Sequence, residues 1–184
     1  MESYYQNQQL PHPVLPTLPP MELLKGQTAL VTGANSGIGR AIAIALGRAG
    51  ADVVINCVTA PEEAAKVVDE IRQFGRRAMF VQADVSNEAE VQAMFARAVA
   101  EFGTLDILVS NAGLQRDAPF HEMTTAQWDT VMNVNLRGAF LCARGGARVS
   151  PARCASRCVG RGRQNYLHQL GPRSHPLGRT CFSR

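Results

Sequence analysis

Four short apolar segments alternate along the chain with longer amphipathic segments, and this alternation most restricts the possible fold. The apolar segments are TALVT (28–32), DVVIN (52–56), AMFVQ (78–82) and DILVS (106–110). The segments that follow them carry apolar residues at helical spacing and are 38–50, 60–75, 87–103 and 124–144. Near-continuously apolar strands joined by helices form parallel sheets covered on both faces. We therefore expect an incomplete, Rossmann-like doubly wound α/β fold whose strands are ordered 3-2-1-4.

A glycine-rich loop, TGANSGIG (32–39), joins the first predicted strand to the first predicted helix. Doubly wound sheets bind dinucleotides at this turn. Gly33 would allow the tight turn, Gly37 would let the backbone approach the pyrophosphate, and Gly39 would let the helix pack closely against the strand. The helix would direct free N–H groups and a positive dipole end at the phosphates. The loop predicts a Rossmann-like dinucleotide-binding domain, and glycines that serve only the geometry of the turn are the alternative.

Four motifs occur in an order and at separations that are typical of one family. They are TGANSGIG (32–39), ADV (83–85) after the third strand, SNAG (110–113) after the fourth, and NVNLRG (133–138) on the last helix. Over about residues 25–144 the chain resembles the short-chain dehydrogenases/reductases. Within that family, the sequence of its motifs is most similar to that of glucose 1-dehydrogenases and 3-oxoacyl-carrier-protein reductases. Ser110 departs from the family's N-N-A-G.

The resemblance implies an NAD(P)-dependent oxidoreductase that acts on a small-molecule substrate, such as a sugar, an alcohol or a ketone. The residues that it implies for cofactor binding are Gly33, Asn35, Ser36, Gly37, Ile38, Gly39, Asp84, Val85, Asn111, Ala112 and Gly113. It places Asp84 at the adenine ring and makes Asn135 the family's catalytic-site asparagine. Taken singly, Asn111 and Asn135 are equally compatible with turns and helix caps, and Asp84 with the approach to the next helix.

The choice between NAD and NADP depends on the residues that follow the second strand. A carboxylate there binds the ribose of NAD, but Asn56 to Thr59 contain none and Asp52 begins the strand. This absence slightly favours NADP. The arginine that usually accommodates a 2′-phosphate is also missing from that turn, and Arg40 is a possible substitute.

The chain lacks the pair of residues that transfers the proton in this family. The family uses a tyrosine as acid/base, a lysine four residues later and a serine at the substrate oxygen, because a phenol of pKa ~10 needs a nearby cation to work at neutral pH. Tyr166, the only tyrosine after residue 5, is followed at that spacing by Leu170, and the last lysine is Lys66. We therefore expect weak cofactor binding and no catalysis, with Asn135 the only retained catalytic candidate.

The composition changes abruptly after Arg144. Residues 145–184 contain eight arginines and no acid, whereas residues 1–144 hold 11 Lys and Arg against 15 Asp and Glu. Codons that encode residues 164–182, shifted by one base, admit KIICISSVHEVIPWAGHV, which resembles the family's fifth strand and catalytic serine segment. We expect a frame shift near residues 144–148 and an irregular tail. The alternative is a non-catalytic protein whose tail binds nucleic acid or another acidic partner, but the tail has few aromatic residues for base stacking.

The remaining features predict the surroundings of the domain. Residues 1–24 form a Pro/Gln-rich leader that we expect to be disordered. Five cysteines without a secretory signal predict reduced thiols and a cytoplasmic location, and the spacing of Cys154 and Cys158 predicts no metal site. No apolar run approaches the roughly 18 residues of a membrane span. The resemblance implies a homo-oligomer, which the sequence leaves open for this chain.

Overall fold

The structure is a computed structural model that describes residues 22–149. Four strands and five α-helices follow one another in this range: β1 (Thr28–Val31), α1 (Gly37–Arg48), β2 (Asp52–Cys57), α2 (Pro61–Arg72), β3 (Ala78–Gln82), α3 (Glu88–Phe102), β4 (Ile107–Val109), α4 (Thr125–Met132) and α5 (Ala139–Val149). A π-helical segment, Asn133–Gly138, lies between α4 and α5. The predicted strands and helices are present, and the ends of the four strands differ from the prediction by one residue at most.

The strands form one parallel sheet in the order β3-β2-β1-β4, which confirms the predicted topology. Ala29 of β1 lies opposite Val53 on one side and Ile107 on the other, and Val53 lies opposite Ala78 of β3. The sheet is therefore the incomplete Rossmann-like sheet that the alternation of strands and helices predicts.

Two apolar cores cover the two faces of the sheet, because successive side chains of a strand point to opposite faces. Leu30 and Val54 pack on one face with residues of α3 and α5. Val31, Val53 and Ile55 pack on the other face with residues of α1 and α2. Strands that are buried on both faces need apolar residues at nearly every position, which explains the unbroken apolar runs in the sequence.

The last predicted helix differs from the prediction. The sequence predicts one helix over 124–144, whereas the structure has α4, the π-helical segment and α5, and α5 continues to Val149. A methyl group at Gly138 would lie 2.8 Å from Val85 Cγ2, so the helix packs closely where the π-helical segment ends. Apolar spacing does not reveal a change from i+4 to i+5 hydrogen bonds. Most of the predicted leader and tail lies outside the described residues.

Candidate dinucleotide-binding site

The glycine loop lies at the carboxyl ends of β1 and β4, which are neighbours in the sheet. The connection after β1 crosses to β2 on one side, while β4 lies on the other side. In open α/β sheets this divergence of connections opens the crevice in which ligands bind. The two loops are about 80 residues apart in a chain that rises roughly 3.3 Å per residue when extended. The fold nevertheless brings the loop after β1 and the loop after β4 to the same edge of the sheet.

Thr32 and Asn111 join these two loops. The buried Thr32 Oγ1 accepts hydrogen bonds from the backbone N–H groups of Asn111 at 2.9 Å and Ala112 at 3.0 Å. Asn111 Nδ2 donates in return to Thr32 O at 2.9 Å and to Gly33 O at 3.1 Å. The amide of Asn111 therefore holds the glycine loop in position, a role that the sequence could not show.

The three loop glycines have different surroundings. A methyl group at Gly39 would lie 2.4 Å from both Asn111 Nδ2 and Gly33 O, and one at Gly33 would lie 3.0 Å from Ala112 Cα. These two positions are closed by the contact between the loops. Gly37 has φ +55°, and a methyl group there would meet no atom within 4 Å. The loop is therefore open to a ligand at Gly37, at the N-terminus of α1.

The N-terminus of α1 presents backbone donors to this opening. Ser36 occupies the N-cap position with φ −153°, its side chain makes no capping hydrogen bond, and no acidic residue lies in the first turn. Ile38, in the same turn, is 75% exposed. Uncapped N–H groups at the positive end of a helix attract anions. The residues present thus fit the pyrophosphate of a dinucleotide.

Two asparagines connect the glycine loop to β2. Asn35 Nδ2 donates to Thr59 O at 3.1 Å, in the turn after β2. The fully buried Asn56 accepts from Gly33 N–H at 3.4 Å and donates to Ala83 O at 2.9 Å, so it also reaches the end of β3. Asn56 was not a predicted site residue. A polar side chain at the end of an otherwise apolar buried strand was the signal that could have identified it.

The predicted adenine-side residues lie after β3. Asp84 Oδ1 accepts from both Ser86 N–H and Ser86 Oγ at 2.8 Å, and its own N–H donates to Glu90 Oε2 at 2.7 Å. These bonds fix the turn between β3 and α3. Val85 is only 2% exposed and its side chain belongs to the core below the helices.

Asn135 lies in the π-helical segment and uses both ends of its amide on one residue. Its Oδ1 accepts from Leu114 N–H at 2.9 Å, and its Nδ2 donates to Leu114 O at 3.0 Å. A methyl group at Gly113 would lie 3.3 Å from the same Oδ1. Asn135 is thus brought to the loop that also contains Asn111 and Ala112, and it holds that loop against the helix.

One ion pair of α1 and two buried thiols are further ionisable groups of the domain. Arg40 Nη2 lies 2.5 Å from Glu70 Oε2. Burial raises the pKa of the Cys57 thiol, with a further rise from the charge of Glu62, and burial raises the pKa of Cys142 to about 11. Neither thiol is suited to act as a nucleophile, because the reactive form is the thiolate.

Two further features are absent from residues 22–149. Within that range, no three His, Cys, Asp or Glu side chains converge on a common point where a metal ion could be held. None of the helices described there is both long and apolar enough to span a bilayer.

The parallel sheet, the glycine loop at its switch point and the open N-terminus of α1 define a dinucleotide-binding α/β protein. Residues 27–153 match the family model of the short chain dehydrogenases. The chain belongs to the short-chain dehydrogenase family, which confirms the resemblance seen in its motifs.

Three relatives illustrate the similarity. The chain is 46% identical over 121 residues to a short chain dehydrogenase of Claviceps purpurea and 48% identical over 121 residues to versicolorin reductase of Emericella nidulans. Both alignments cover 66% of this chain and 46% of the relative, so the chain spans about half the length of these curated relatives. A short chain dehydrogenase of Burkholderia cenocepacia, solved in complex with NADP, is 41% identical with a TM-score of 0.67, covering 69% of this chain and 52% of that one.

Proposed function

We propose that this chain is the cofactor-binding half of a short-chain NAD(P)-dependent oxidoreductase, which binds the dinucleotide weakly and does not transfer hydride by itself. The observation that carries the proposal is that hydrogen bonds between Thr32 and Asn111 fix the glycine loop while the loop stays open at Gly37. The sequence also contains no Tyr-x-x-x-Lys pair. The bound nicotinamide would supply the hydride chemistry in the intact enzyme.

The residues of the site would act on different parts of the dinucleotide. The N–H groups of the first turn of α1 would bind the pyrophosphate, since they are uncapped and lie beside the opening at Gly37. Asp84 would face the adenine from the turn after β3. Asn111 would act indirectly, because its side-chain amide donates to two carbonyl groups of the glycine loop. Asn135 would hold the backbone at Leu114 in the same way.

Proton transfer is the step for which the sequence contains no Tyr-x-x-x-Lys pair. Lys25 and Lys66, the only lysines, form ion pairs with Glu22 at 2.7 Å and with Glu63 at 2.6 Å. Both ends of the Asn135 amide are hydrogen-bonded to Leu114, and an amide does not exchange a proton as an acid or base near neutral pH. Without a lysine at the nicotinamide ribose, that end of the cofactor would also be held loosely, which is why we propose weak binding.

The same proposal includes the choice between NAD and NADP and the class of substrate. NADP is slightly favoured because the turn after β2 contains no carboxylate, and the NADP complex of the Burkholderia relative supports this choice. For the intact enzyme we propose a sugar, an alcohol or a ketone as substrate, as in glucose 1-dehydrogenases. Reduced, buried Cys57 and Cys142 support a cytoplasmic location.

We also propose that a frame shift near residues 144–148 separates the domain from its catalytic half. Two genes test this: the present one, and one in which a base is removed or inserted near codon 145. The present chain should show no turnover with NADP or NADPH and a ketone or glucose. The restored chain should show turnover, and Asn135→Ala in it should lower the rate sharply. Turnover by the present chain, with its mass verified, would contradict the proposal.

A binding experiment tests the cofactor site separately. Gly37→Val places a bulky side chain in the opening at the N-terminus of α1, and we expect NADP binding measured by calorimetry to be lost. Gly75→Val is the matched control, because Gly75 also has a positive φ (+72°) and no atom within 4 Å of an added methyl group, but lies after α2. Tight NADP binding that survives Gly37→Val would refute the proposed site.

A further inference from the structure

NAD and NADP differ only at the adenosine ribose, so the charges near that ribose determine which one binds better. In this chain the glycine loop and the turn after β2 face each other, because Asn35 Nδ2 donates to Thr59 O at 3.1 Å. Val58, Thr59 and Ala60 carry no charge. A cation that favours a 2′-phosphate would therefore have to lie outside this turn, for example on the neighbouring helix α1.

Arg40 is the cation of α1 nearer to the N-terminus of the helix, whereas Arg48 lies in its last turn. Its backbone N–H donates to Ser36 O at 3.1 Å, so it is one helical turn from the N-cap of α1. It is seven residues before Gly47, where an added methyl group would lie 2.9 Å from Ile71 Cγ2 of α2, so Arg40 is on the face of α1 that is directed toward α2. Helical side chains lean toward the N-terminus of their helix, which gives an arginine here a path toward Ser36.

Glu70 of α2 forms an ion pair with this arginine. Arg40 Nη2 lies 2.5 Å from Glu70 Oε2, and the two side chains are 48% and 29% exposed. A guanidinium that already binds a carboxylate offers a phosphate less positive charge, and it must give up its partner before it can bind another anion.

We propose that Glu70 is a specificity-determining residue of the dinucleotide site, because its ion pair with Arg40 competes with the 2′-phosphate of NADP. The inference rests on the proposed function of the glycine loop. The proposal accounts for two features of the site. The turn after β2 carries no charge that would exclude NAD or NADP, and Arg40 of α1 is already paired with Glu70. Glu70 would act through Arg40, without touching the cofactor.

The test uses the full chain and measures the Kd values of NADP and NAD by titration calorimetry. Glu70→Gln should tighten NADP binding about three- to five-fold, as expected for the loss of one partly exposed ion pair, and should leave NAD binding unchanged within about two-fold. Asp69→Asn is the matched control, because it removes the same charge from the neighbouring position of α2, where Asp69 pairs with Arg72 at 3.5 Å. It should leave the ratio of the two Kd values unchanged.

A second variant identifies Arg40 as the group that responds. In Arg40→Ala, adding Glu70→Gln should no longer tighten NADP binding. The inference is overturned if the gain survives in that double variant, if Asp69→Asn gives the same gain, or if Glu70→Gln leaves the ratio unchanged while both dinucleotides bind. Failure of every variant and of the unmodified chain to bind either dinucleotide would overturn the proposed function as well.

Discussion

Gly39→Ala should destabilise the fold, because Gly39 lies where the loops after β1 and β4 touch. The new methyl group would be 2.4 Å from Asn111 Nδ2 and from Gly33 O, and neither the loop carbonyl nor the bonded amide can move freely. Displacing Asn111 would break its hydrogen bonds to Thr32 O and Gly33 O, at about 1 kcal/mol each. Overpacking adds about 1–3 kcal/mol.

One effect acts in the opposite direction. Alanine is favoured over glycine inside a helix by about 1 kcal/mol. The expected net loss in the free energy of unfolding is therefore about 2–4 kcal/mol. Gly47→Ala is the control, since it is on the same helix and gains the same propensity, but its methyl group would meet the side chain of Ile71 at 2.9 Å rather than a backbone carbonyl. We expect a smaller cost of about 0–2 kcal/mol there, because overpacking against Ile71 is offset by the same gain in propensity and no hydrogen bond is broken.

Urea denaturation of the full chain, followed by far-ultraviolet circular dichroism, measures both changes. Hydrogen exchange at the N–H groups of Asn111 and Ala112, which donate to Thr32 Oγ1, should accelerate in Gly39→Ala and not in Gly47→Ala. A Gly39→Ala variant within about 0.5 kcal/mol of the parent chain, or a Gly47→Ala variant equally destabilised, would refute the reasoning, since ordinary surface changes fall in that range.

Three other perturbations have defined outcomes. The pKa of Cys142 is about 11 in the folded chain against an ordinary 9.0, so its contribution to stability should be complete below pH 9 and should fall by about 1.4 kcal/mol per pH unit only up to about pH 11; in Cys142→Ala this part of the alkaline loss should be absent from urea titrations. Asn135→Ala removes both bonds to Leu114 and should speed hydrogen exchange at the Leu114 N–H, while an unchanged rate would contradict the role of Asn135. Ala60 has φ +53°, so Ala60→Gly should stabilise the chain by about 0.5–1 kcal/mol in urea, and destabilisation would show that the strain is absent.

The strands and the glycine loop could be predicted because their signals are local. An apolar strand, a turn that needs positive φ at Gly33 and Gly37, and an amphipathic helix each depend on residues close together in the chain. Helix ends were predicted for the same reason, as where Asn87 caps α3 through its side chain and Gly103 ends it with φ +74°. The parallel order of the strands follows from right-handed crossovers between them.

The interruption between α4 and α5 could not be predicted in this way. Asn135 has an ordinary helical neighbourhood in sequence, and only its two bonds to Leu114, 21 residues earlier in the chain, show why its position matters. The structural roles of Asn56 and Asn111 could not be predicted for the same reason. Each is a common polar residue whose partners come from other strands and loops.

By itself, the sequence determined the class of fold, the position of the glycine loop and the absence of a Tyr-x-x-x-Lys pair, since these depend on residue types and short spacings. The tertiary structure decided what the polar and charged residues do. Arg40 could be predicted only as a possible phosphate ligand, because its partner Glu70 lies 30 residues away and meets it at 2.5 Å only after α1 and α2 pack on the same face. Side-chain contacts of this kind depend on the packing of elements that are distant in sequence, and short-range sequence patterns do not predict that packing.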